Sequence, residues 1–425
     1  MAKTRWYSRV TAYQWLVLVI ASAGWIFDTF EGQIFNVTRS QLLLDILKTA
    51  GTDAAIKSYG DLFLAVFLVG GTFGGLLFGS LADRWGRRPV MAVSILVYSI
   101  CSGWMFFAQS LWQVGVARFL VAVGVGGEWA VAASLVAEVF PAEARAQASG
   151  IFHASSVLGI VAAALAGAAV GVHWRYVYLI SLAPAVLVFW VMAKIEEPEN
   201  WREAGAKAAK SAGPKMGRFR DLLGDSRWRG RAILGMLLAA VGLGSFWGVT
   251  VAGQDLTREL MIRTGHAVAE AAQSSKLAYS IEVTGMGFGM LAFGSLSVWL
   301  GRRRAFAWMH AVAFLIVPIT CYLPTNYTQM LLLLPVFGFF TGGIHSGYAI
   351  YFPELFPTHV RATGTAFCFN GGRILAALVL ILSAWLKSLP GMDLRLAITL
   401  LGFLFPLGLL VIWFLPETKG QALPE

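Results

Sequence analysis

Residues 79–88 read GSLADRWGRR, and residues 294–303 read GSLSVWLGRR, a weaker copy of the same pattern at an offset of 215. A second pair of segments, EVFPAEAR from Glu138 and ELFPTHVR from Glu354, repeats at an offset of 216. Two independent motifs at nearly the same offset are difficult to obtain by chance. They indicate that the chain consists of two homologous halves.

The composition indicates a protein embedded in lipid. Hydrophobic residues make up 57% of the 425 and charged residues 13%, and the mean hydropathy is +0.68. Soluble proteins carry about 25% charged residues, so the charges here cannot cover the surface of a globule of this size. The three cysteines, Cys101, Cys321 and Cys368, fall in apolar runs without paired spacing and predict neither disulfides nor a metal site.

The apolar runs predict twelve membrane-spanning helices, because a helix needs about 20 apolar residues to cross the hydrocarbon core. The expected fold is an all-α membrane protein with 12 transmembrane helices in two pseudo-symmetric six-helix bundles. The predicted spans are 13–36, 61–82, 89–108, 112–138, 147–171, 175–193, 231–252, 276–299, 305–323, 329–351, 363–386 and 396–415.

One sizeable polar insertion lies at the midpoint of the chain. It separates a first bundle (1–193), a central loop (194–229) and a second bundle (230–425). Within the loop, the run EAGAKAAKSAGPKMGRFRDLL favours a basic amphipathic helix on the membrane surface. A solvated linker between the halves explains the same composition equally well.

The charges are distributed unevenly between the two sets of loops. If the N-terminus is cytoplasmic, 22 Lys and Arg residues lie in cytoplasmic segments and nine on the opposite side. Loops rich in Lys and Arg stay in the cytoplasm, so we expect a multi-pass protein of the inner or plasma membrane with both termini cytoplasmic. This distribution explains the net charge of +10 without a nucleic-acid partner.

The loop motif GSLADRWGRR, its copy, and PETKGQAL from Pro416 resemble the major facilitator superfamily over the whole chain. The fourth-span segment RFLVAVGVGGEWAVAASLVAEVFP resembles the metabolite:H⁺ and sialate:H⁺ symporter branches. The acids Asp28 and Glu31 resemble the two-acid first-span motif of aromatic acid:H⁺ symporters. PETKG is common in the branch related to sugar porters, so the resemblance leaves the substrate class open.

The resemblance implies a conformational latch in the cytoplasmic loops. Asp83 is expected to pair, in one conformation only, with a cationic group or a helix N-terminus of the other bundle. Val298 replaces this acid in the second copy, so the latch should be asymmetric. Topological anchoring at the anionic leaflet explains the arginines of the motif but not Asp83. The residues assigned to the latch are Asp83, Arg84, Gly86, Arg87, Arg88, Glu138, Arg145, Glu354 and Arg361.

Ionisable residues within the spans are candidates for proton coupling, because an unpaired charge in lipid is costly. Asp28 and Glu31 lie three residues apart on one helix face, and their repulsion favours a proton on one of them. Alternatively, one of the two caps or pairs with a neighbouring helix. Arg118, by resemblance, is tied to proton transfer or to a first-span acid. Glu128 is either a second protonation site or a buried hydrogen-bonding group.

Arg373, in FNGGRILAALVL, is the leading candidate for binding a substrate, because a buried guanidinium needs an anion. It either holds a substrate carboxylate by a bidentate contact or pairs permanently with Asp28 or Glu31. Further candidates are aromatic and polar residues near the predicted midplane, with Tyr348 and Asn370 first among them. The others are Trp25, Trp129, Trp247, Gln254 and Tyr351.

These features predict a proton-coupled symporter of a small organic anion, such as a mono- or dicarboxylate or an aromatic acid. A facilitator or symporter of a neutral solute such as a sugar, a drug antiporter and a non-transporting sensor are the alternatives. An enzyme is not expected, since phosphate loops, metal-ligand spacings and nucleophile elbows are missing from the sequence. We expect no cofactor or metal, and a monomer in the lipid bilayer whose ligands are the anion and H⁺.

Overall fold

The computed structural model describes residues 6–48, 53–210 and 213–425. Within these ranges, twelve helices are long and apolar enough to cross a membrane, which confirms the predicted all-α membrane fold. We number them spans 1 to 12: Ala12–Leu47, Ala55–Trp85, Arg87–Phe107, Leu111–Val139, Ala142–Val170, Trp174–Lys194, Ser226–Arg263, Val268–Leu300, Arg302–Tyr322, Tyr327–Leu355, Thr358–Ser388 and Leu394–Phe414. Helices suit this setting because they satisfy their backbone hydrogen bonds internally, where lipid offers no partners.

Several spans are longer than the apolar runs that predict them. Span 1 continues past residue 36 to Leu47, and span 7 covers Ser226–Arg263 instead of 231–252. The apolar run marks the part of a helix that lies in lipid. The hydrogen-bond ladder of the helix continues beyond that boundary until a cap or turn residue ends it.

Spans 7 and 10 of the second half are interrupted near their middle. Span 7 contains a π-helical turn, Phe246–Thr250, between the helices Ser226–Ser245 and Gly253–Arg263. Span 10 is broken between Tyr327–Gly343 and Ser346–Leu355. Irregular backbone at this depth is tolerated where protein or a cavity surrounds it.

Shorter pieces complete the helical structure. Span 5 consists of Ala142–Ala154 and Ser156–Val170, and span 12 of Leu394–Leu401 and Leu404–Phe414. Span 6 consists of Trp174–Tyr176, Val177–Ile180, Ala183–Val186 and Leu187–Lys194. Three-residue or four-residue 3₁₀ turns lie at Trp6–Arg9, Met105–Phe107 and Thr358–Val360.

Both ends of the described chain lie on one face of the molecule, which we call the terminus face. Gln14, near the start of span 1, donates from Nε2 to the Val139 carbonyl at 2.9 Å. At the other end of the chain, the Pro424 carbonyl accepts from Arg361 Nη2 at 2.8 Å. An even number of spans returns the chain to the side from which it started.

The two halves meet through small residues near the terminus face. A Cβ on Gly79 of span 2 would lie 2.5 Å from Ala366 Cβ of span 11. On the other side of the interface, a Cβ on Gly150 of span 5 would lie 3.4 Å from Gly294 Cα of span 8. Small residues let helix backbones approach closely, so the halves are in tight contact at this face.

The central loop packs against the protein. It forms the helices Glu199–Lys210 and Phe219–Gly224, and residues 213–218 between them are not helical; residues 211 and 212 lie outside the described residues. The run 203–223 thus contains helical and non-helical parts, and its place at the membrane surface stays a prediction. Gly217 accepts from Ser80 Oγ of the first half at 2.6 Å and donates to the His359 carbonyl of the second half at 2.7 Å. The loop therefore joins the two halves across the terminus face.

Candidate functional site

A cavity of about 180 Å³ lies between the two halves, and we call it the central cavity. Spans 1, 2, 5, 7, 8, 10 and 11 line it. Along spans 1 and 11 the lining residues run from the middle of the helix toward the face opposite the termini. The polar and aromatic residues in its wall include Trp25, Thr29, Gln33, Asn36, Phe67, His153, Ser156, Phe246, Trp247, His345, Phe369 and Arg373.

Arg373 of span 11 places a guanidinium in the wall of the central cavity. The guanidinium carbon lies 5.2 Å from the centroid of the Phe369 ring, and the side chain is half-buried. Gly71 on span 2 leaves room for it, because a Cβ there would lie 2.7 Å from Arg373 Nη1. Within the described ranges no carboxylate lies at ion-pair distance from Arg373. An anionic ligand could therefore pair with it.

The carboxyl group that faces Asp28 belongs to Glu128 of span 4, not to Glu31 as its position in the sequence suggests. Both side chains are almost fully buried. Gly24 makes space for them, since a Cβ at that position would lie 2.4 Å from Glu128 Oε1. Neither carboxyl has another hydrogen-bond partner among the described residues, and one proton shared between them would satisfy both.

Glu31 lies in a separate polar pocket of the first half. Its Oε2 accepts from Ser102 Oγ at 2.5 Å. Arg118 donates from Nη1 to the backbone carbonyl of Glu31 at 3.5 Å, without an ion pair to its carboxylate. The guanidinium of Arg118 instead lies 4.5 Å and 4.1 Å from the ring centroids of Phe35 and Phe67. The four predicted coupling residues thus form two groups, Asp28 with Glu128 and Glu31 with Arg118.

The three predicted tryptophans lie at or next to the central cavity. Trp25 and Trp247 are part of its wall. Trp129 lies behind the wall and stacks on Phe369 with ring centroids 3.9 Å apart. Its Nε1 donates to His153 Nδ1 at 3.1 Å, so it fixes the orientation of a ring that lines the cavity.

Tyr348 and Asn370, the first choices from the sequence, lie outside the cavity wall. The Tyr348 hydroxyl donates to the Leu238 carbonyl at 3.2 Å inside the second half. Asn370 faces span 2, where a Cβ on Gly75 would lie 2.0 Å from its Nδ2. Neither residue lines the central cavity in this conformation, and their role in binding stays a prediction.

Tyr351 and Gln254 are also away from the central cavity. The Tyr351 hydroxyl donates to the Pro416 carbonyl near the terminus face. Gln254 lies in the helix that follows the π-helical turn of span 7. The structure does not bring either side chain to the cavity.

Span 1 contributes three polar residues to the cavity wall that were not predicted: Thr29, Gln33 and Asn36. Asn36 Nδ2 donates to Gln33 Oε1 at 3.2 Å. Their spacing of four and three residues places them on one face of the helix. This spacing is the signal that the sequence offers for them.

A network of buried charges closes the terminus face. Glu138 Oε1 accepts from Arg87 Nη2 of its own half at 2.8 Å and from Arg361 Nη1 of the other half at 2.7 Å. All three side chains are fully buried. Buried charges of this kind are stable only when they are paired and hydrogen-bonded.

Asp83 extends this network to the N-terminus of the long helix of span 11. It accepts from the backbone nitrogens of Ala362 and Thr363 at 3.1 and 2.8 Å, and from Thr363 Oγ1 at 2.6 Å. It also pairs with Arg87 at 2.8 Å. A carboxylate is favoured there because the first backbone N–H groups of a helix lack partners within the helix.

The second half repeats only part of this arrangement. Arg302 donates to both oxygens of Glu354 at 2.9 and 2.7 Å, as Arg87 does to Glu138. However, Glu354 accepts from Thr418, and among the described residues it has no hydrogen-bond partner in the other half. Val298 stands at the position that Asp83 has in the first half. The contact of Asp83 with the facing half therefore has no equivalent aspartate contact in the described part of the second half.

The other residues predicted for the latch between spans 2 and 3 make contacts with the segment that follows span 6 and with the central loop. The Glu197 carboxylate accepts from the backbone nitrogens of Arg87 and Arg88 at 2.8 and 2.9 Å. Gly86 has φ +106°, and a Cβ there would lie 2.4 Å from Glu197 Oε1. Arg84 donates to the Gly217 carbonyl at 3.2 Å.

Two further contacts complete the terminus face. Arg145 donates to the Ala137 carbonyl at 2.8 Å. In the second half, Glu417 of the PETKG segment accepts from the backbone nitrogens of Arg302 and Arg303 at 2.9 and 3.1 Å. Glu417 thus accepts hydrogen bonds from the first backbone nitrogens of span 9, as Glu197 does from those of span 3.

The whole chain resembles known membrane transporters. It is 27% identical to a putative metabolite transport protein of Haemophilus influenzae, over 98% of this chain and 99% of that protein. It is 29% identical to the cis,cis-muconate transport protein of Acinetobacter baylyi, over 75% of each chain. The solved structure of the proton:xylose symporter XylE matches with a TM-score of 0.74 at 18% identity, covering 97% of this chain and 98% of that one.

Family models match both halves. The model described as "Sugar (and other) transporter" matches residues 270–425. The model described as "Major Facilitator Superfamily" matches residues 15–275, more than half of the chain. With twelve spans in two similar halves around a central cavity, the chain is a multi-pass membrane transporter that belongs to the Major Facilitator Superfamily.

Proposed function

We propose that the protein is a proton-coupled symporter of a small organic anion, such as a mono- or dicarboxylate or an aromatic acid. The observation that carries this proposal is the guanidinium of Arg373, which lines the central cavity without an ion-pair partner in the described part of the chain. A buried guanidinium stays charged and favours a carboxylate, which it binds through two parallel hydrogen bonds.

The remainder of the cavity wall suits a small, largely apolar anion. Trp25, Phe246 and Trp247 offer flat apolar surfaces, and Thr29 and Gln33 offer a few hydrogen bonds. A pocket that is mainly apolar, with a few placed polar groups, is typical of small-molecule sites. A transport protein named for muconate among the relatives supports the same substrate class.

The Asp28–Glu128 pair is the proposed site of proton coupling. Asp28 of this pair interacts electrostatically with Arg373. Protonation of the pair therefore changes the electric field that acts on an anion bound at Arg373. With the proton in place, Arg373 is freer to hold the anion, and the loaded carrier moves with little net charge. Proton and anion then each favour the binding of the other, which is the thermodynamic requirement for coupling.

We further propose that the terminus face is cytoplasmic, because the loops on that side carry the excess of Lys and Arg. The buried network around Glu138 then closes the cytoplasmic side, and the central cavity faces outward. Alternating access would open this network as the halves rotate about the cavity. The membrane in question would be the inner or plasma membrane, and a monomer is sufficient for this cycle.

A neutral solute such as a sugar is the second candidate. Thr29, Gln33 and Asn36 form a hydrogen-bonding row in the cavity wall that fits hydroxyl groups. The XylE likeness, at 18% identity, supports the shared fold and not a shared substrate. The two candidates differ in what they require of Arg373, which an anion needs and a sugar does not.

Uptake into proteoliposomes tests the proposal. The purified protein is reconstituted, and uptake of radiolabelled cis,cis-muconate and of xylose is measured with an inward proton gradient and after its collapse by a protonophore. We expect muconate to accumulate only with the gradient. Equal accumulation after collapse would refute proton coupling, uptake of xylose alone would favour the neutral solute, and binding without flux would favour a sensor.

A matched pair of variants tests the role of Arg373. Arg373→Ala should abolish muconate uptake, and Arg373→Lys should recover part of it, since lysine keeps the charge but not the bidentate geometry. Lys387→Ala, which removes a cation near the far end of the same span, should leave uptake unchanged. Full muconate uptake by Arg373→Ala would remove the basis of the proposal.

A further inference from the structure

Glu282 of span 8 is a buried carboxyl group in the second half that the proposed mechanism does not use. Its side chain is 1% exposed. Neither carboxyl oxygen has a hydrogen-bond partner among the described residues, and no cation of those residues lies within ion-pair distance. An isolated carboxyl in a membrane protein calls for an explanation, because such groups are costly unless they have a function.

The neighbouring spans leave space for this carboxyl group. A Cβ on Gly253 of span 7 would lie 2.1 Å from Glu282 Oε2. A Cβ on Gly338 of span 10 would lie 2.3 Å from the Glu282 carbonyl oxygen and 3.1 Å from its Cγ. Gly253 therefore leaves space for the carboxyl group, and Gly338 leaves space for the backbone and the base of the side chain.

The carboxyl group of Glu282 packs against the interruption of span 7. We call this interruption, residues 246–252, the joint of span 7. Gly253 is the first residue of the helix Gly253–Arg263, directly after the π-helical turn Phe246–Thr250 and two further residues. Phe246 and Trp247 of that turn line the central cavity. Glu282 thus lies between the segment that contacts the cavity and the segment that leads to the opposite face.

The charge state of Glu282 should affect this joint. In span 8 itself, Tyr279 is the titratable side chain that interacts electrostatically with Glu282. Spans 7 and 10 contribute Gly253, Leu334 and Gly338, which carry no charge. A neutral carboxylic acid fits such surroundings. An ionised one would need water or a cation, and the joint would have to open to admit either.

We propose that Glu282 is a second proton-binding site, and that a proton bound there keeps the outer segment of span 7, Gly253–Arg263, packed against spans 8 and 10. Loss of the proton releases this segment. The inference deepens the proposed function, on which it rests for the use of protons in transport. Its own claim concerns the conformation of one half and can be tested without substrate.

A distance measurement within the second half tests the proposal. Spin labels are placed at Ile262→Cys, at the outer end of span 7, and Ser388→Cys, at the outer end of span 11, with the three native cysteines replaced. Both labels belong to the second half, so their separation reports the joint and not the movement between halves. We expect the distance distribution of the parent protein to shift between mildly acidic and mildly alkaline pH.

Glu282→Gln keeps the shape of the neutral acid but cannot ionise. It should lose the shift and show the acidic distribution at every pH. Glu270→Gln removes an exposed carboxyl from the same span and should retain the shift. A pH-dependent shift that persists unchanged in Glu282→Gln, or is missing from the parent protein, overturns the proposal.

A second variant tests the packing independently of charge. Gly253→Ala places a methyl group against the carboxyl and should produce the alkaline distribution at every pH. The double variant Gly253→Ala/Glu282→Ala should reverse this change, because the collision is gone. An unchanged distribution in Gly253→Ala contradicts the proposal. None of these results depends on anion uptake, so a failure here is distinct from a failure of Arg373→Ala in proteoliposomes.

Discussion

Arg361 of the second half donates to Glu138 of the first half at 2.7 Å, and both side chains are fully buried although 223 residues separate them in the chain. The pair is a direct charged contact between the halves at the terminus face. Contacts of this kind are candidates for setting the balance between the two conformations of a transporter, because they exist in one of them only.

Glu138→Gln should move this balance toward a state that is open at the terminus face. Removing one partner of a buried ion pair costs about 3–5 kcal/mol, since the other charge stays buried. Spin labels at Glu143→Cys in the first half and Arg304→Cys in the second, both at exposed positions, would report a longer distance.

The internal repeat supplies the control for this variant. Glu354→Gln disturbs the equivalent pair with Arg302, which lies within one half. It should lower the melting temperature without lengthening the label distance. If both variants lengthen the distance equally, the contact between the halves is not what sets the balance.

Asp83→Asn should also favour the open terminus face. The carboxylate binds the N-terminus of the long helix of span 11, where a negative charge contributes about 0.3–2 kcal/mol. A cysteine at Ala366, which faces Gly79 across the interface, should then react faster with a bulky polar maleimide. Asp61→Asn, at an exposed position of span 2, which also contains Asp83, should leave the rate of maleimide labelling unchanged.

Asp28→Asn and Glu128→Gln should each abolish accumulation driven by a proton gradient while leaving counterflow exchange of the anion intact. If the two acids share one proton, the double variant should be no worse than either single one. Additive losses would mean that the two groups act independently. Uptake and counterflow in the same proteoliposomes give both quantities.

Gly217→Ala should weaken the contact that the central loop makes with both halves. Gly217 has φ +66°, and a Cβ there would lie 2.2 Å from the Ser80 carbonyl. We expect a destabilisation of more than about 1 kcal/mol, measured by thermal unfolding. Gly205→Ala, in the same loop with open space around the Cβ position, should be neutral or slightly stabilising.

The sequence predicted the fold because apolar runs and repeated motifs are local signals. The twelve spans follow from the length of the runs. The motifs also contained the residues that meet at the terminus face, among them Asp83 and Glu138, since each lies at a fixed place in a short loop. For Asp83, the helix N-terminus that it binds is one of the two expected kinds of partner.

The cavity wall was harder to predict, because its residues are selected by contacts between helices. Tyr348 and Asn370 have the chemistry of binding residues, yet the Tyr348 hydroxyl donates to Leu238 of another helix and the Asn370 amide packs against Gly75 of span 2. Glu128 became the partner of Asp28 because Gly24 lets the two helices approach. None of these pairings leaves a periodic signal in one stretch of sequence.

The shared acceptor at Glu138 has a consequence for the speed of the transport cycle. In the proposed cycle of alternating access, separation of the halves at the terminus face would break the bond between Glu138 and Arg361 but leave the bond to Arg87, which belongs to the same half as Glu138. Arg361 keeps its bond to the Pro353 carbonyl, also within its own half. Glu138 would therefore keep a paired charge throughout. For this reason, opening should cost much less free energy than a substitution that removes either partner. Such a contact can hold the resting conformation and still break within the microseconds to milliseconds of a domain movement.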